Sequence, residues 1–147
     1  MVDNFTRPPS DNCCAPGSRA SFTKTITEAD VTTLAGVTGD FNPLHVDAEY
    51  ARQTRYGQRT AHPLLASGLI SAVLNTRLPG PGVICLSQQI EYLGPIFIGD
   101  TITAVVEVTA WQPEKHLITL KTTCHNQDSR QVITGQAVMM FLKEVMA

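Results

Sequence analysis

The sequence has little that would support a metal centre, a disulfide framework or a nucleic-acid interface. Its four cysteines include no C-x-x-C pair, and Cys13 and Cys14 are adjacent, so neither a zinc site nor a set of disulfides is indicated. The formal net charge is −2 and the pI is about 6.0, which leaves no basic surface of the kind that binds nucleic acid. We therefore expect no metal and no nucleic-acid partner.

Long apolar segments are also missing. The most apolar stretch, LLASGLISAVL, is far too short to span a bilayer, and the N-terminus lacks the apolar core of a secretory signal. Residues 1–20 are rich in Pro, Ser, Asn and Asp, and we expect them to form a flexible lead-in. Unpaired cysteines without a signal favour a reducing, cytoplasmic compartment and no membrane association.

The remaining sequence has the composition of one domain with a sizeable core. The chain has 147 residues, of which 43% are hydrophobic and 16% charged. Thr27 and Asp30 form a sequence close to a capping box, and Gly39 marks the end of the helix that follows. Asp47 is placed to cap another short helix.

Residues 63–78 form the one long helix candidate. Pro63 suits the first helical position, where its missing N–H does least harm. Through Leu74 the helix is apolar or small on every side, which is typical of a helix buried all round.

The second half of the chain alternates between apolar and polar residues, as strands do. The sequence therefore predicts an α+β fold in which an antiparallel sheet wraps one long central helix. Cys85 and Cys124 are predicted to be small core residues. A sheet covers a lone helix only in part, so we predict that a second copy of the chain covers the rest, as a homodimer.

The stretch TGDFNPLHVD, residues 38–47, combines turn formers with a carboxylate and an imidazole. Gly39 and Asn42-Pro43 favour an irregular loop of fixed shape. A loop that holds Asp40 near His45 is a common way to build a proton-transfer site. The alternative is that Asp40 is a cap and His45 an ordinary polar loop residue.

The pattern G-D-F-N-P-L-H, followed by A-H-x-L-L at the start of an apolar helix, resembles the MaoC-type (R)-specific enoyl-CoA hydratases. The resemblance runs from about Phe22 to Leu142. It implies a dimeric hot-dog fold for a single domain at residues 21–147, and reversible hydration of trans-2-enoyl-CoA to the (R)-3-hydroxyacyl-CoA. It implies no cofactor, because coenzyme A arrives as part of the substrate.

The resemblance also implies roles for individual residues. Asp40 and His45 match the acid/base pair of the family. Asn42 matches a residue that helps to order the active-site loop. Ser71 matches a position on the central helix beside the catalytic pair.

One position departs from the family. The residue after the His of A-H is usually a glycine whose N–H polarises the thioester, whereas this chain has Pro63, which has no N–H. Either the N–H of Leu64 takes over this role or hydration is weakened.

Two groups of residues are candidates for holding the substrate. An apolar acyl pocket is predicted at Leu65, Leu74 and Met139. No Asp or Glu lies between Tyr50 and Ile90, whereas four arginines do, including Arg77. The three that closely follow the loop with Asp40 are candidates for the phosphates of coenzyme A: Arg52, Arg55 and Arg59. For any one of these arginines the alternative is a solvated basic surface.

Three functions therefore stay open. The first is hydration of enoyl-CoA. The second is dehydration of a carrier-protein-bound or unusual acyl thioester in biosynthesis. The third, which Pro63 keeps open, is a weakened hot-dog protein that binds acyl-CoA.

His62 is expected to be a helix-capping or packing residue.

Overall fold

The computed structural model describes residues 14–142. Over these residues the elements follow in the order β1 (Arg19–Thr25), α1 (Glu28–Thr38), α2 (Pro43–Val46), α3 (Ala48–Arg52), α4 (Pro63–Thr76), β2 (Val83–Tyr92), β3 (Thr101–Gln112), β4 (Leu117–His125) and β5 (Gln131–Phe141). A single 3₁₀ turn, Pro113–Lys115, connects β3 to β4.

The five strands form one sheet in the order β1-β3-β4-β5-β2, with every neighbouring pair antiparallel. Helix α4 contacts β1, β2, β3 and β4. The inward residues of β3 are fully buried, as the alternating pattern predicted: Ile102, Ala104, Val106 and Val108. The predicted α+β arrangement of an antiparallel sheet around one long helix is confirmed.

The predicted helix ends of α1 are present. The amide of Thr27 donates to Asp30 Oδ2 at 2.8 Å, and the amide of Asp30 donates to Thr27 Oγ1 at 3.2 Å. These reciprocal bonds satisfy two amides that the first turn leaves without partners. Gly39 ends the helix with φ at 79°, a left-handed conformation that glycine adopts without strain. The loop with Asp40 therefore starts from a fixed direction.

Helix α4 is not buried on every side within one chain. Its inner face is buried against the sheet: Ala66, Ser67, Leu69, Ile70, Val73 and Leu74. An opposite stripe is exposed, and it consists of Leu64, Gly68, Ser71 and Asn75. The sheet covers only one side of the helix, which explains why the opposite stripe is exposed.

None of the helices in the described part of the chain is long and apolar enough to cross a membrane.

Two cysteines have different environments. Cys124 is fully buried in β4, and burial raises the pKa of its thiol to about 12, so it stays neutral and inert at physiological pH. Its predicted place in the core is confirmed. The same prediction is wrong for Cys85, which is exposed on β2, because β2 lies at the edge of the sheet.

The folded body begins earlier than the predicted boundary at residue 20. Cys14 is fully buried, and the amide of Gly17 donates to the carbonyl of Val108 at 2.8 Å. The amide of Val108 donates in turn to the carbonyl of Ser18 at 2.9 Å. The rest of the predicted lead-in, residues 1–13, lies outside the described residues, as do residues 143–147 at the other end of the predicted domain.

Candidate active site

The loop after α1 fixes the Asp40 carboxylate through its own backbone. The amide of Asp40 donates to Thr38 Oγ1 at 3.2 Å, and the amide of Asn42 donates to Asp40 Oδ1 at 3.2 Å. Asn42 caps α2, since its Oδ1 accepts from the amide of Leu44 at 3.0 Å. Asn42 therefore orders the loop twice, through its amide and its side chain, and leaves Asp40 Oδ2 on a carboxylate that is half exposed.

His45 is buried and held in one tautomer. Its Nδ1 lies 2.7 Å from the carbonyl oxygen of Thr60. Because a carbonyl only accepts, Nδ1 carries the proton in the neutral ring and donates it. The other ring nitrogen, Nε2, is then unprotonated and available as a base. Thr60 is itself held, since its amide donates to the carbonyl of Leu44 at 3.2 Å and it pairs with Phe97.

His62 belongs to the same cluster. It is 1% exposed, and its ring centroid lies 4.1 Å from that of His45, with 36° between the ring planes. Its Nε2 lies 2.9 Å from the backbone oxygen of Asp40, to which it donates, and 4.0 Å from Asp40 Oδ2. His62 precedes α4 but makes no side-chain cap, so the predicted capping role is wrong and the packing role is right.

These three residues are also the ones that could hold a metal ion, because one donor atom of each lies within 4.8 Å of the others. Both imidazoles, however, already use one nitrogen to donate to a backbone carbonyl. Among the described residues, His62 Nδ1 has no hydrogen-bond partner. The expectation of no metal stays a prediction, and so does the role of Asp40 and His45 in proton transfer.

The start of α4 adds a donor to the cluster. Pro63 is the first residue of the helix and has no N–H. The amide of Leu65 donates to the carbonyl of His62 at 3.0 Å, while within residues 14–142 no acceptor is found for the amide of Leu64. This free amide lies at the positive end of the helix dipole. Leu64 is thus the available donor for a thioester oxygen.

A cavity of about 560 Å³ runs along the exposed side of α4. Leu64, Leu65, Gly68 and Ser71 of α4 line it, together with Ile90 and Tyr92 of β2. Ser71 lies about two helical turns beyond Pro63. The structure thus places Ser71 in this cavity, and its predicted position beside the pair stays a prediction.

The predicted acyl pocket is only partly correct. Leu65 lines the cavity, but Leu74 and Met139 are 1% and 0% exposed and belong to the core. Both side chains belong to one buried hydrophobic cluster. Ser67 and Tyr92, whose hydroxyl oxygens lie 3.1 Å apart, line the cavity instead and were missed, because their contact joins residues 25 positions apart.

A second cavity, of about 780 Å³, opens onto His45. Thr60, Pro63 and Tyr92 also line it, as do Arg55 and Arg130. Tyr92 borders both cavities. The catalytic cluster and the start of α4 therefore lie where two cavities of different composition adjoin.

The three predicted arginines do not lie together. Arg55 lines the cavity with His45. Arg52 pairs with Glu49 at 3.0 Å and Arg59 pairs with Glu28, and both line a separate surface cavity of about 350 Å³. Arg52 and Arg59 therefore do not line the cavity with His45, and their role at the phosphates of coenzyme A stays a prediction.

Comparison with known proteins identifies the class. The family described as MaoC like domain matches residues 14–129. An (R)-specific enoyl-CoA hydratase from Rhodospirillum rubrum is 48% identical over 124 residues, which are 84% of this chain and 85% of that protein. A 3-hydroxybutyryl-CoA dehydratase from Methylorubrum extorquens is 42% identical over 121 residues, 82% of this chain and 76% of that protein. The chain belongs to the MaoC-like family.

The solved structures agree. The structure of the (R)-hydratase from A. caviae involved in PHA biosynthesis superposes with a TM-score of 0.84 at 37% identity, and the match covers 87% of this chain and 97% of that one. The hot-dog fold implied by the sequence is therefore confirmed.

We expect His62 to position the pair rather than exchange protons with the substrate. His62→Ala should lower kcat by about 10- to 100-fold, because Asp40 loses the donor that fixes its backbone and His45 loses its packing partner. His62→Gln, which keeps a terminal donor, should recover part of the loss. His125→Gln, at the end of β4, is the control. Equal kcat for the alanine variant and wild type in a steady-state assay would refute the role.

Proposed function

We propose that this protein is an enzyme that reversibly hydrates a trans-2-enoyl-CoA to the (R)-3-hydroxyacyl-CoA. The observation that carries the proposal is the geometry of one cluster. Asp40 and His45 lie in one cluster with His62, with one donor atom of each within 4.8 Å of the others. His62 directly precedes α4, where the amide of Leu64 has no acceptor within residues 14–142. These groups meet the three needs of hydration, which are an activated water, a proton for C2 and a stabilised thioester oxygen.

The proton balance needs no other reagent. Asp40 accepts a hydrogen bond from the water and orients it, and the water oxygen bonds to C3 as one of its protons passes to the pair. The electrons of the C2–C3 double bond move toward the thioester carbonyl. The pair then delivers one proton to C2, and the enzyme returns to its starting state. The steps reverse for dehydration, with water as the product.

The thioester oxygen gains negative charge while the enolate exists. The Leu64 amide and the helix dipole oppose that charge at the start of α4. Pro63 removes the first amide of the helix. The thioester carbonyl of the substrate therefore binds one residue further along α4 than it would with a donor at position 63.

The acyl group fits the cavity along α4. Its wall is mostly apolar and includes Leu64 and Leu65 of α4 and Ile90 of β2. The only charged groups there, Lys24 and Asp30, pair with each other, and the hydrogen bond from the Lys24 ammonium lowers the pKa of Asp30. An uncharged acyl chain therefore meets no unpaired charge.

We further propose that the protein is a homodimer. Strand β2 is an edge strand, and most of its residues are exposed on both faces, including Ile84 at 39% and Leu86 at 50%. An open edge of this kind invites pairing with another strand. A second copy that covers β2 and the exposed stripe of α4 would also close the acyl cavity.

A cytoplasmic location is proposed too, since the thiols of Cys85 and Cys124 are unbridged.

The first prediction concerns turnover. Asp40→Asn and His45→Asn should each lower kcat for crotonyl-CoA by about 10²- to 10⁴-fold, since each removes a proton acceptor. Asp40→Asn also keeps the side-chain shape. His45→Asn can still donate to the Thr60 carbonyl. The measurement is the loss of enoyl absorbance, with thermal unfolding to confirm the fold. Asp128→Asn, in the exposed β4–β5 turn, is the matched control. Wild-type rates in both variants would refute the proposal.

Pro63 distinguishes a working hydratase from a weakened binding protein. Because the Leu64 amide is free, we expect Pro63→Gly to change kcat by less than about threefold. A missing oxyanion donor costs about 10²- to 10³-fold in kcat. A gain of that size in the glycine variant would therefore show that wild type lacks the donor, and would favour the acyl-CoA-binding function.

The dimer is tested by mass in solution. Sedimentation equilibrium should give twice the chain mass of 16.0 kDa. Leu86→Glu should shift the equilibrium toward the monomer, because the carboxylate would be buried at the interface without a partner. Ser21→Glu, on the opposite edge strand β1, should leave the dimer intact. A monomeric wild type at micromolar concentration would contradict the proposal.

A further inference from the structure

We infer that Arg55 and Arg130 together bind the phosphate at the end of the substrate's pantetheine arm. This phosphate is common to coenzyme A and to the prosthetic group of acyl carrier proteins. The inference rests on the proposed hydration of a thioester, and it adds a binding site that lies beyond the reacting atoms. It is carried by the partners of the arginines and by the cavity they share.

Most arginines in the described part of the chain already meet a carboxylate or a carbonyl oxygen. Four of the six arginines within residues 14–142 do so: Arg19 with Glu107, Arg52 with Glu49, Arg59 with Glu28, and Arg77 with the carbonyl of Ser21. The guanidinium of Arg55 donates to the Tyr56 hydroxyl at 2.9 Å and lies 5.0 Å from the centre of its ring. No side-chain hydrogen bond or ion pair is found for Arg130 over the same residues.

The two arginines without a carboxylate or carbonyl partner line the same cavity as His45. They reach it from distant parts of the chain, Arg55 just after α3 and Arg130 from the turn between β4 and β5. A Cβ placed on Gly94 would lie 3.6 Å from Arg130 Nη2, so the guanidinium lies against the backbone at Gly94. No Asp or Glu is among the residues that line this cavity.

The composition of the cavity fits a long neutral arm that ends in an anion. Besides the imidazole and the arginines, its wall includes Leu93, Pro95 and Phe97, which suit the uncharged pantetheine chain. Two guanidinium groups can each offer paired donors to phosphate oxygens, which makes arginine well suited to this ligand. In a chain with a net charge of −2, two unpaired cations beside one cavity indicate an anionic ligand.

The cavity along α4 offers no unpaired cation among its described lining residues. Tyr92 lines both this cavity and the cavity with His45, and Lys24, the cation in the α4 cavity, is paired with Asp30. The two cavities thus divide the substrate at the start of α4, with the acyl chain along α4 and the phosphate-bearing arm toward Arg55 and Arg130.

The test compares thioesters that differ in phosphate. Arg55→Gln, Arg130→Gln and the double variant are assayed with crotonyl-CoA, crotonyl-phosphopantetheine and crotonyl-N-acetylcysteamine, which has no phosphate. Each single variant should raise KM for the two phosphate-bearing substrates by about tenfold with kcat unchanged, and the double variant by about 100-fold. KM for the N-acetylcysteamine thioester should not change. Arg19→Gln, exposed on β1 and paired with Glu107, is the control.

Two results would overturn the inference. One is an equal change, or none, for the thioesters with and without phosphate. The other is a loss confined to crotonyl-CoA, which would assign the arginines to the nucleotide phosphates that phosphopantetheine lacks. If wild type hydrates none of the three substrates, the proposed function fails separately. Calorimetric titration with coenzyme A then tests the site alone, where the double variant should bind about 100-fold more weakly and unchanged affinity would refute it.

Discussion

The candidate site depends on one hydrogen bond, from His45 Nδ1 to the carbonyl of Thr60 at 2.7 Å. This bond sets the tautomer, and it leaves Nε2 as the only ring nitrogen that can accept a proton. Thr60 can hold His45 because its own backbone is fixed by Leu44 on one side and by pairing with Phe97 on the other. His62 completes the arrangement by packing on His45 and donating to the backbone of Asp40 at 2.9 Å. The positions of both catalytic candidates thus follow from backbone carbonyls, which do not titrate.

The packing of α4 determines what surrounds this cluster. One side of the helix is buried in the sheet, and the other is open along Leu64, Gly68 and Ser71. The helix therefore supplies core residues, one wall of the acyl cavity and the free amide of Leu64 at the same time. Because the catalytic loop precedes α4 in the chain and His62 directly precedes Pro63, the acid/base groups lie at the end of the helix where its dipole favours negative charge. The N-terminus of α4 thus belongs to both the packed core and the candidate active site.

Much of this could be predicted from the sequence, for identifiable reasons. Local turn and capping residues determine the ends of α1, the start of α4 and the loop with Asp40, so the sequence predicts these features. The contacts of His45 with Thr60 and of His62 with Asp40 span 15 and 22 residues, and no local pattern encodes them. The sequence places Leu74 in the acyl pocket although the sheet buries it, because a helix that is apolar all round does not indicate which side faces the sheet. Arg130 was missed because only the fold brings the β4–β5 turn to the cavity with His45.

We propose that Asp40 and His45 deliver water to the face of the enoyl group that yields the (R) product, since hydrogen bonds to the backbone hold both side chains beside the start of α4. The configuration of the product tests this claim most directly. Crotonyl-CoA should be incubated with the wild-type protein, and the 3-hydroxybutyryl-CoA formed should be resolved by chiral chromatography. We expect the (R) enantiomer alone, whereas the (S) enantiomer or a racemic product would refute this role of Asp40 and His45.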